Sequence, residues 1–328
     1  MDLRKPPLLR YVALSAILYM ATAMQPASAE YPEKPIRWIV PSAAGGVSDA
    51  TVRVVTTELT RRLGQAFVID NRPGATGVIG LDAIAKAKPD GYTIGSAALS
   101  SIVTGSLVAK SLPYNTARDF LPIAMLATQP NLLGVASSLP VKSVKELIAY
   151  SQSHPNAIFY GSNGNGSSLH VATELFRAST GLRATHVPYK STPAAETDLM
   201  AGQLQMLIDN FGTMAPNVQS GRLRALAITG PRRSPLLPDV PTMAEAGVPG
   251  AEMVTWTGVV GPSGMPADIA RKLNSEINAV LTDPKVVKQL ADLASDAAPM
   301  SLVQFDSFLK AETDRWRAVI KNNNITAD

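Results

Sequence analysis

The chain has 328 residues, 46% hydrophobic and 17% charged, with 25 prolines and 23 glycines, which is too apolar and too weakly charged for a disordered protein and long enough for one large or two medium domains. It has no cysteine, which excludes disulfides, thiolate nucleophiles, zinc ribbons, iron–sulfur clusters and a lipoprotein acyl site. Thirty Lys plus Arg against 26 Asp plus Glu give a net charge of +4 with no basic run longer than two, so no nucleic-acid partner is expected.

In chain order, the first feature is an export signal. Arg4, Lys5 and Arg10 precede a nearly apolar stretch over residues 11–24, followed by Pro26 and the small-x-small sequence Ala27-Ser28-Ala29. This order predicts a signal peptide over residues 1–29, cleaved near Ala29. The apolar run is short for a membrane span, which takes about twenty residues. A cysteine-free exported chain suits the bacterial periplasm.

Residues 36–41 read as a strand, and Ser48 as the cap of a helix with Val52, Val55, Leu59 and Leu63 on one stripe and Gly64 at its end. A strand at 66–69, a helix at 80–87, a Lys88-Pro89-Asp90-Gly91 turn and a strand at 92–97 complete a βαβαβ pattern, which implies a parallel sheet with helices on both faces. Residues 123–137 are too long an apolar run for an ordinary strand. A strand that leaves one domain and enters another accounts for the length and for the Gln129-Pro130-Asn131 interruption.

Helices at 144–150, 168–179 and 193–201 then alternate with short strands at 157–160, 185–187 and 206–208, with Thr192 and Pro193 as cap and first helical residue. After a strand at 223–229, residues 230–250 hold five prolines and read as a connector with a short helix at 243–246. A strand at 253–260 returns to the first sheet. A helix at 266–281 and a Ser301-x-x-Gln304 capping box ahead of a last helix close the chain. The expected fold is α/β with two lobes. Residues 30–127 with 245–328 form the first, and 128–244 are inserted as the second, with a ligand cleft between them.

Three strand-to-helix junctions carry the candidate chemistry. The first holds Ser42, Ala43, Ala44, Gly45, Gly46, Ser48 and Asp49; the second holds Gly164, Asn165, Gly166, Ser167 and Ser168; the third runs through Tyr189 and Lys190 to Pro193. Ligands of open α/β sheets sit at the carboxyl ends of the strands, where helix N-termini present free N–H groups and a positive partial charge. Glycine admits close backbone approach, and serine and asparagine add neutral donors. Two such loops facing each other would grip a carboxylate. His170 near the start of its helix, Tyr189 and Trp256 as walls, Lys190 as a cation, Asp209 and Asn210 at a strand end, and Gln129 and Asn131 in the crossing are further candidates.

Enzyme readings are weaker. Gly46-Val-Ser48-Asp-Ala50 looks like a nucleophile elbow, but Ala50 replaces its last glycine and five residues separate Val40 from Gly46. His154, His170 and His186 lie sixteen residues apart, so no single helix carries a metal-binding histidine pair. Neither a metal nor a cofactor is expected.

The same residues resemble the tripartite tricarboxylate transporter substrate-binding proteins, the Bug family. The resemblance runs from Tyr31 to about Trp316. Its marks are Tyr31-Pro-x-Lys-Pro-Ile, Pro41-x3-Gly45-Gly46-x-Ser48-Asp49 with Arg53, Asn71-Arg-Pro-Gly-Ala75 with Gly77 and Gly80, and Lys88-Pro-Asp-Gly-Tyr-Thr93. Further on come Leu112-Pro-Tyr114 with Asp119-Phe120, Gly164-x-Gly166-x-Ser168-x-His170, Val187-Pro-Tyr-Lys190, the Gly221–Ala227 stretch, and Leu237-Pro-Asp-Val-Pro-Thr242 with Glu245-Ala-Gly247. The resemblance implies a periplasmic receptor of the type II, flytrap kind. It would hold a ligand carboxylate with backbone groups and waters of the 42–49 and 164–168 loops, close on it, and deliver it to membrane permease subunits. Dicarboxylates, tricarboxylates, aromatic acids and amino acids are the candidate ligands. A monomer is expected, with a sensing component as alternative and a secreted hydrolase as a weaker one. Thr76 and Ser191 stand where the family usually has glycine, and Ser191 lies near the expected distal end of the ligand.

Overall fold

The computed structural model describes residues 31–326. The expected signal peptide at 1–29 lies outside the described residues. Strand β1 (Ile36–Val40) leads into α1 (Val47–Leu63), β2 (Phe67–Asn71), a 3-10 turn (Ala75–Gly77), α2 (Val78–Ala85) and β3 (Thr93–Ala98). β1 pairs in parallel with both β2 and β3, as the alternating pattern requires. Helix α1 stops at Gly64, whose φ of 65° lets its N–H reach back to the Thr60 carbonyl at 3.0 Å.

Three elements that the sequence pattern does not signal come next: a π-helix (Leu99–Thr104), its α-helical continuation α3 (Gly105–Val108), and the start of β4 (Phe120–Ala136) at Phe120. β4 is one unbroken strand of 17 residues, spanning about 55 Å at the usual rise. From Phe120 to Pro130 it pairs with β9 (Val254–Pro262), and from Asn131 to Val135 with β7 (Met206–Asn210), antiparallel in both cases. Pro130 donates no hydrogen bond and stands where the partner changes.

The second sheet adds α4 (Val144–Ser153), β5 (Phe159–Ser162), α5 (Ser168–Thr180), β6 (Thr185–Pro188) and α6 (Thr192–Met200) before β7. β5 pairs in parallel with β6 and β7. Then follow α7 (Phe211–Gln219), β8 (Leu223–Ile228) beside β4, β9, α8 (Ala267–Leu281), α9 (Pro284–Asp292), a two-residue β10 (Asp296–Ala297) on β4, and α10 (Leu302–Asn322). The order β2-β1-β3-β9-β4-β7-β5-β6 is therefore mixed, not parallel throughout, because β9 runs against both neighbours.

Several expectations are corrected. Gly46, not Ser48, is the N-cap of α1, and Ser48 lies inside the first turn. Ser191, not Thr192, precedes α6, so Pro193 is the second helical residue. Residues 243–246 form turns and no helix, since the run is too short to nucleate one against five nearby prolines. The capping box of Ser301 and Gln304 is formed as read. Trp256 is core and no cleft wall: it is 1% exposed, edge-on to Phe305 and Phe308, and its indole N–H reaches Glu312 Oε2 at 3.3 Å.

Candidate functional site

The first loop leaves β1 at Pro41 and enters α1 at Val47. Its middle, Ala43 through Gly46, is exposed, and Gly45 holds φ at 84°, where a side chain would be strained. Asp49 shapes the loop from behind. Its carboxylate is 2% exposed and accepts the Gly45 N–H, the Arg53 Nε–H and the Asn71 amide, each at 2.9 Å. Burial alone would raise its pKa, but the bonds from Arg53, Gly45 and Asn71 outweigh it and hold the carboxyl below its ordinary value. Asn71 also donates to the Ser42 carbonyl at 3.2 Å. Asp49 is thus a shaping residue whose oxygens are taken inside the protein, and its reading as a ligand contact gives way to that role. The first-turn N–H groups of α1 have no intrahelical acceptor, as at any helix start.

The second loop leaves β5 at Ser162 and enters α5 at Ser168. Gly164 and Gly166 have φ of 108° and 72°. Ser167 is the N-cap and accepts the His170 N–H at 3.3 Å. Ser162 Oγ lies 3.1 Å from both the N and the O of Gly164. His170 does not face the cleft; it packs inward, 8% exposed, and its Nδ1 accepts the Gly166 N–H at 3.0 Å. Gly166, Ser167 and Ser168 are buried, Gly164 and Asn165 half-buried. A Cβ at Gly166 would overlap the Val108 side chain, so α3, which follows the first sheet, lies against the second loop.

A chain of close approaches links the two loops. Gly80 packs on Pro41, where a Cβ would come within 2.8 Å of its Cα; Gly77 fits between Pro41 and Ser101; Gly105 meets Thr76; and Val108 covers Gly166. The π-helix and α3 are therefore the bridge, which the sequence reading missed. Nothing in the spacing of Leu99-Ser-Ser-Ile-Val-Thr-Gly-Ser106 announces it, although π-turns of this kind recur at functional sites.

The remaining candidates separate. Tyr189 is half-buried, and its hydroxyl donates to Asp198 at 2.6 Å; Lys190 is exposed. Asn131 is fully buried in the crossing and paired in register with Asn210. Its backbone N–H donates to Thr229 Oγ1 at 2.9 Å, while neither atom of its side-chain amide has a hydrogen-bond partner in the protein. Gln129 bonds Ser295 at 3.2 Å, a packing role. Asn210 Oδ1 lies 3.4 Å from the Thr255 hydroxyl. Asp209 is fully buried, with Oδ1 held by the Asn210 N–H at 2.7 Å. Burial pushes its carboxyl well above the usual range; the Asn210 N–H opposes this, and the neighbouring Glu196 carboxyl adds to it.

Among the described residues no group of three or more His, Asp or Glu side chains is placed to hold a metal ion, and no helix is long and apolar enough to cross a membrane. The arrangement offers neutral donors and two helix N-termini, with its one loop-shaping cation, Arg53, already bound to Asp49.

Two α/β lobes sharing a long strand, with glycine loops at the strand ends, define a two-lobe solute-binding protein of the periplasmic type. Its fold matches R. palustris Rpa4515, solved with adipate, at a TM-score of 0.83 and 37% identity over 90% of this chain and 99% of that one. It also matches MatC from Rhodopseudomonas palustris, solved with bound malate, at 0.79 and 31% over 88% and 100%. Protein BugT of Bordetella pertussis is 37% identical over 310 residues, 93% of this chain and 94% of BugT. Residues 51–325 match the tripartite tricarboxylate transporter family receptor, and the chain belongs to that family, whose members are periplasmic solute receptors and not enzymes.

Proposed function

We propose that this chain is an exported receptor that captures a small organic carboxylate between the 42–49 and 164–168 loops and hands it to membrane permease subunits. The observation that carries the reading is the matched construction of the two loops. Each follows a parallel strand, turns through glycine at positive φ and opens a helix. Adipate in Rpa4515 and malate in MatC support an aliphatic dicarboxylate as the ligand class. The lobe limits that go with this reading are 30–127 with 245–328, and 128–244. Closure is then a hinge motion at Gln129–Asn131, where β4 changes partners. The protein acts as a monomer in the periplasm after cleavage near Ala29.

Thermal melting of the purified protein against a carboxylate library tests this. A true ligand at a hundredfold excess over its Kd stabilises by about 2.7 kcal/mol. Adipate or malate raising the melting point, with neutral sugars silent, supports the reading. A response to neutral sugars alone overturns it.

A further inference from the structure

One apolar face of β4 ends on an asparagine. Leu133 and Val135 pair in register with Ile208 and Met206 of β7, and all four are buried core residues. The next pair on that face is Asn131 with Asn210. Leu207 of β7 pairs in parallel with Gly161 of β5, so the end of β7 at Asn210 lies level with the second loop, which leaves β5 at Ser162. Asn131 is fully buried there, and neither its Nδ2 nor its Oδ1 has a partner in the protein. The groups that could have served it are committed elsewhere. The Thr229 hydroxyl accepts the Asn131 backbone N–H at 2.9 Å and donates to the Met253 carbonyl at 2.5 Å. The Thr229 N–H donates to the Asn131 carbonyl at 2.9 Å, so the backbone is held at both its polar atoms. Asn210 gives its side-chain N–H to Asp209 Oδ1 at 3.2 Å, and its own Oδ1 takes the Thr255 hydroxyl at 3.4 Å. A buried amide left with both halves unpaired costs stability, and in a native structure such a group calls for a reason.

We propose that the Asn131 amide is a specificity-determining group that reads a hydroxyl beside a carboxylate, so that the ligand is a 2-hydroxy dicarboxylate and not a plain one. The inference rests on the carboxylate reading of the cleft and narrows it. An amide presents a donor and an acceptor side by side. A plain carboxylate offers acceptors only; it would take the Nδ2 hydrogens and leave Oδ1 facing another oxygen. A 2-hydroxy acid meets both halves at once, its carboxylate accepting from Nδ2 and its hydroxyl donating to Oδ1. A 2-amino acid could do the same with its ammonium, but a buried ammonium needs an anionic partner. The side chains that flank Asn131 in the crossing, Asn210, Thr229 and Thr255, are uncharged. Asp209 pairs in register with Leu132, one residue along from Asn131, and so belongs to the opposite face of the sheet. A site built to bond a ligand hydroxyl rejects the analogue that lacks it far more strongly than an apolar site rejects a missing methylene, because its own polar groups are then left unpaired.

The test is titration calorimetry on the purified protein at about pH 7.5, where every probe is a fully ionised carboxylate. The probes are both enantiomers of malate, succinate as the analogue without the hydroxyl, L-aspartate as the ammonium counterpart, and adipate. The preferred malate is expected to bind roughly tenfold or more tighter than succinate, and the ratio to fall below about threefold in Asn131→Leu and in Asn131→Ala, through loss of malate affinity. Melting curves show whether each variant is folded. If neither is, the wild-type ratio decides alone. Succinate binding the wild type as tightly as malate overturns the proposal, and so does L-aspartate binding more tightly than malate. An unchanged ratio in a folded variant also overturns it, and leaves the amide as the seat of a structural water only. Adipate binding more tightly than malate overturns the hydroxyl reading while the carboxylate reading stands. If none of the acids binds, both fall.

Discussion

Asp49 and His170 occupy the same station. Each is the third residue of its helix, and each takes the backbone N–H of the glycine four residues before it, Gly45 at 2.9 Å and Gly166 at 3.0 Å. The two walls of the candidate site are therefore built by one device with two chemistries. A carboxylate braces the first loop and an imidazole the second.

Replacing Asp49 is expected to damage both loop and fold. Asp49→Ala leaves the Gly45 N–H and the Asn71 amide without their acceptor, and charge-assisted bonds of this kind contribute about 1.5–3 kcal/mol each before relaxation. A net loss of about 2–3 kcal/mol in urea unfolding is expected, with weaker ligand binding. The sign with pH follows from the lowered carboxyl. Its stabilisation is complete well above the unfolded value of 3.8 and drains as pH falls through the folded value below it. The difference between wild type and Asp49→Asn should accordingly shrink below about pH 4. A difference that stays constant from pH 7 to 3 would refute the bracing role.

Gly166 and Val108 should show coupled energetics. Gly166→Ala adds a side chain at φ 72°, which costs about 1–2 kcal/mol, and drives it into Val108. Val108→Ala alone removes packing. In the Gly166→Ala background it should instead recover part of the loss, because it relieves the overlap and not the backbone strain. A double-mutant cycle on melting temperature reads the coupling, and strict additivity would show that the two do not meet in solution.

Asp209 gives the opposite pH sign to Asp49. Its folded carboxyl titrates above its unfolded value, so the folded state binds more protons than the unfolded one between the two. Stability therefore falls as pH rises from the ordinary carboxylate range through neutrality to the raised folded value. Asp209→Asn should flatten this decline, and Glu196→Gln should lessen it by removing the like charge. Melting points at pH 6 and pH 9 for the three proteins suffice, and an Asp209→Asn slope equal to that of wild type would contradict the assignment.

Asn131 is expected to trade stability for binding. A fully buried amide without a protein partner carries an uncompensated desolvation cost of about 1–3 kcal/mol. Asn131→Leu should leave the unliganded protein as stable as wild type or more so, within the room available, and should weaken dicarboxylate binding tenfold or more. Loss of stability with affinity unchanged would make it an ordinary core residue.

Much of the frame is legible in the residues. The spacing of Val52, Val55 and Leu59 gives α1, Gly64 its end, Ser301 and Gln304 the start of α10, and the run through Pro130 a strand that passes between sheets. The π-helix escapes because Leu99-Ser-Ser-Ile-Val-Thr104 has no 3.6-residue stripe. Helix α9 was legible in Asp283-Pro284, a cap and a first helical proline, and was passed over. The loops are found by composition, but side-chain direction is not. A polar group at the third helical position has two places to go, outward to ligand or back to the glycine N–H. Asp49 and His170 take the second for reasons of loop geometry that no spacing records. The sixteen-residue spacing of His170 and His186 hides their stacking, because the two are brought together only by the pairing of β5 with β6 under α5.

The single strand β4 has a further consequence for how the molecule comes apart. Ten or so of its residues complete one sheet and the next five complete the other, so neither half can be excised without baring a long raw edge in what remains. Melting either half strips the backbone partners from the other. A calorimetric scan should show one cooperative transition where two tethered domains would give two, and a receptor that flexes on every capture is thereby kept from unravelling by halves.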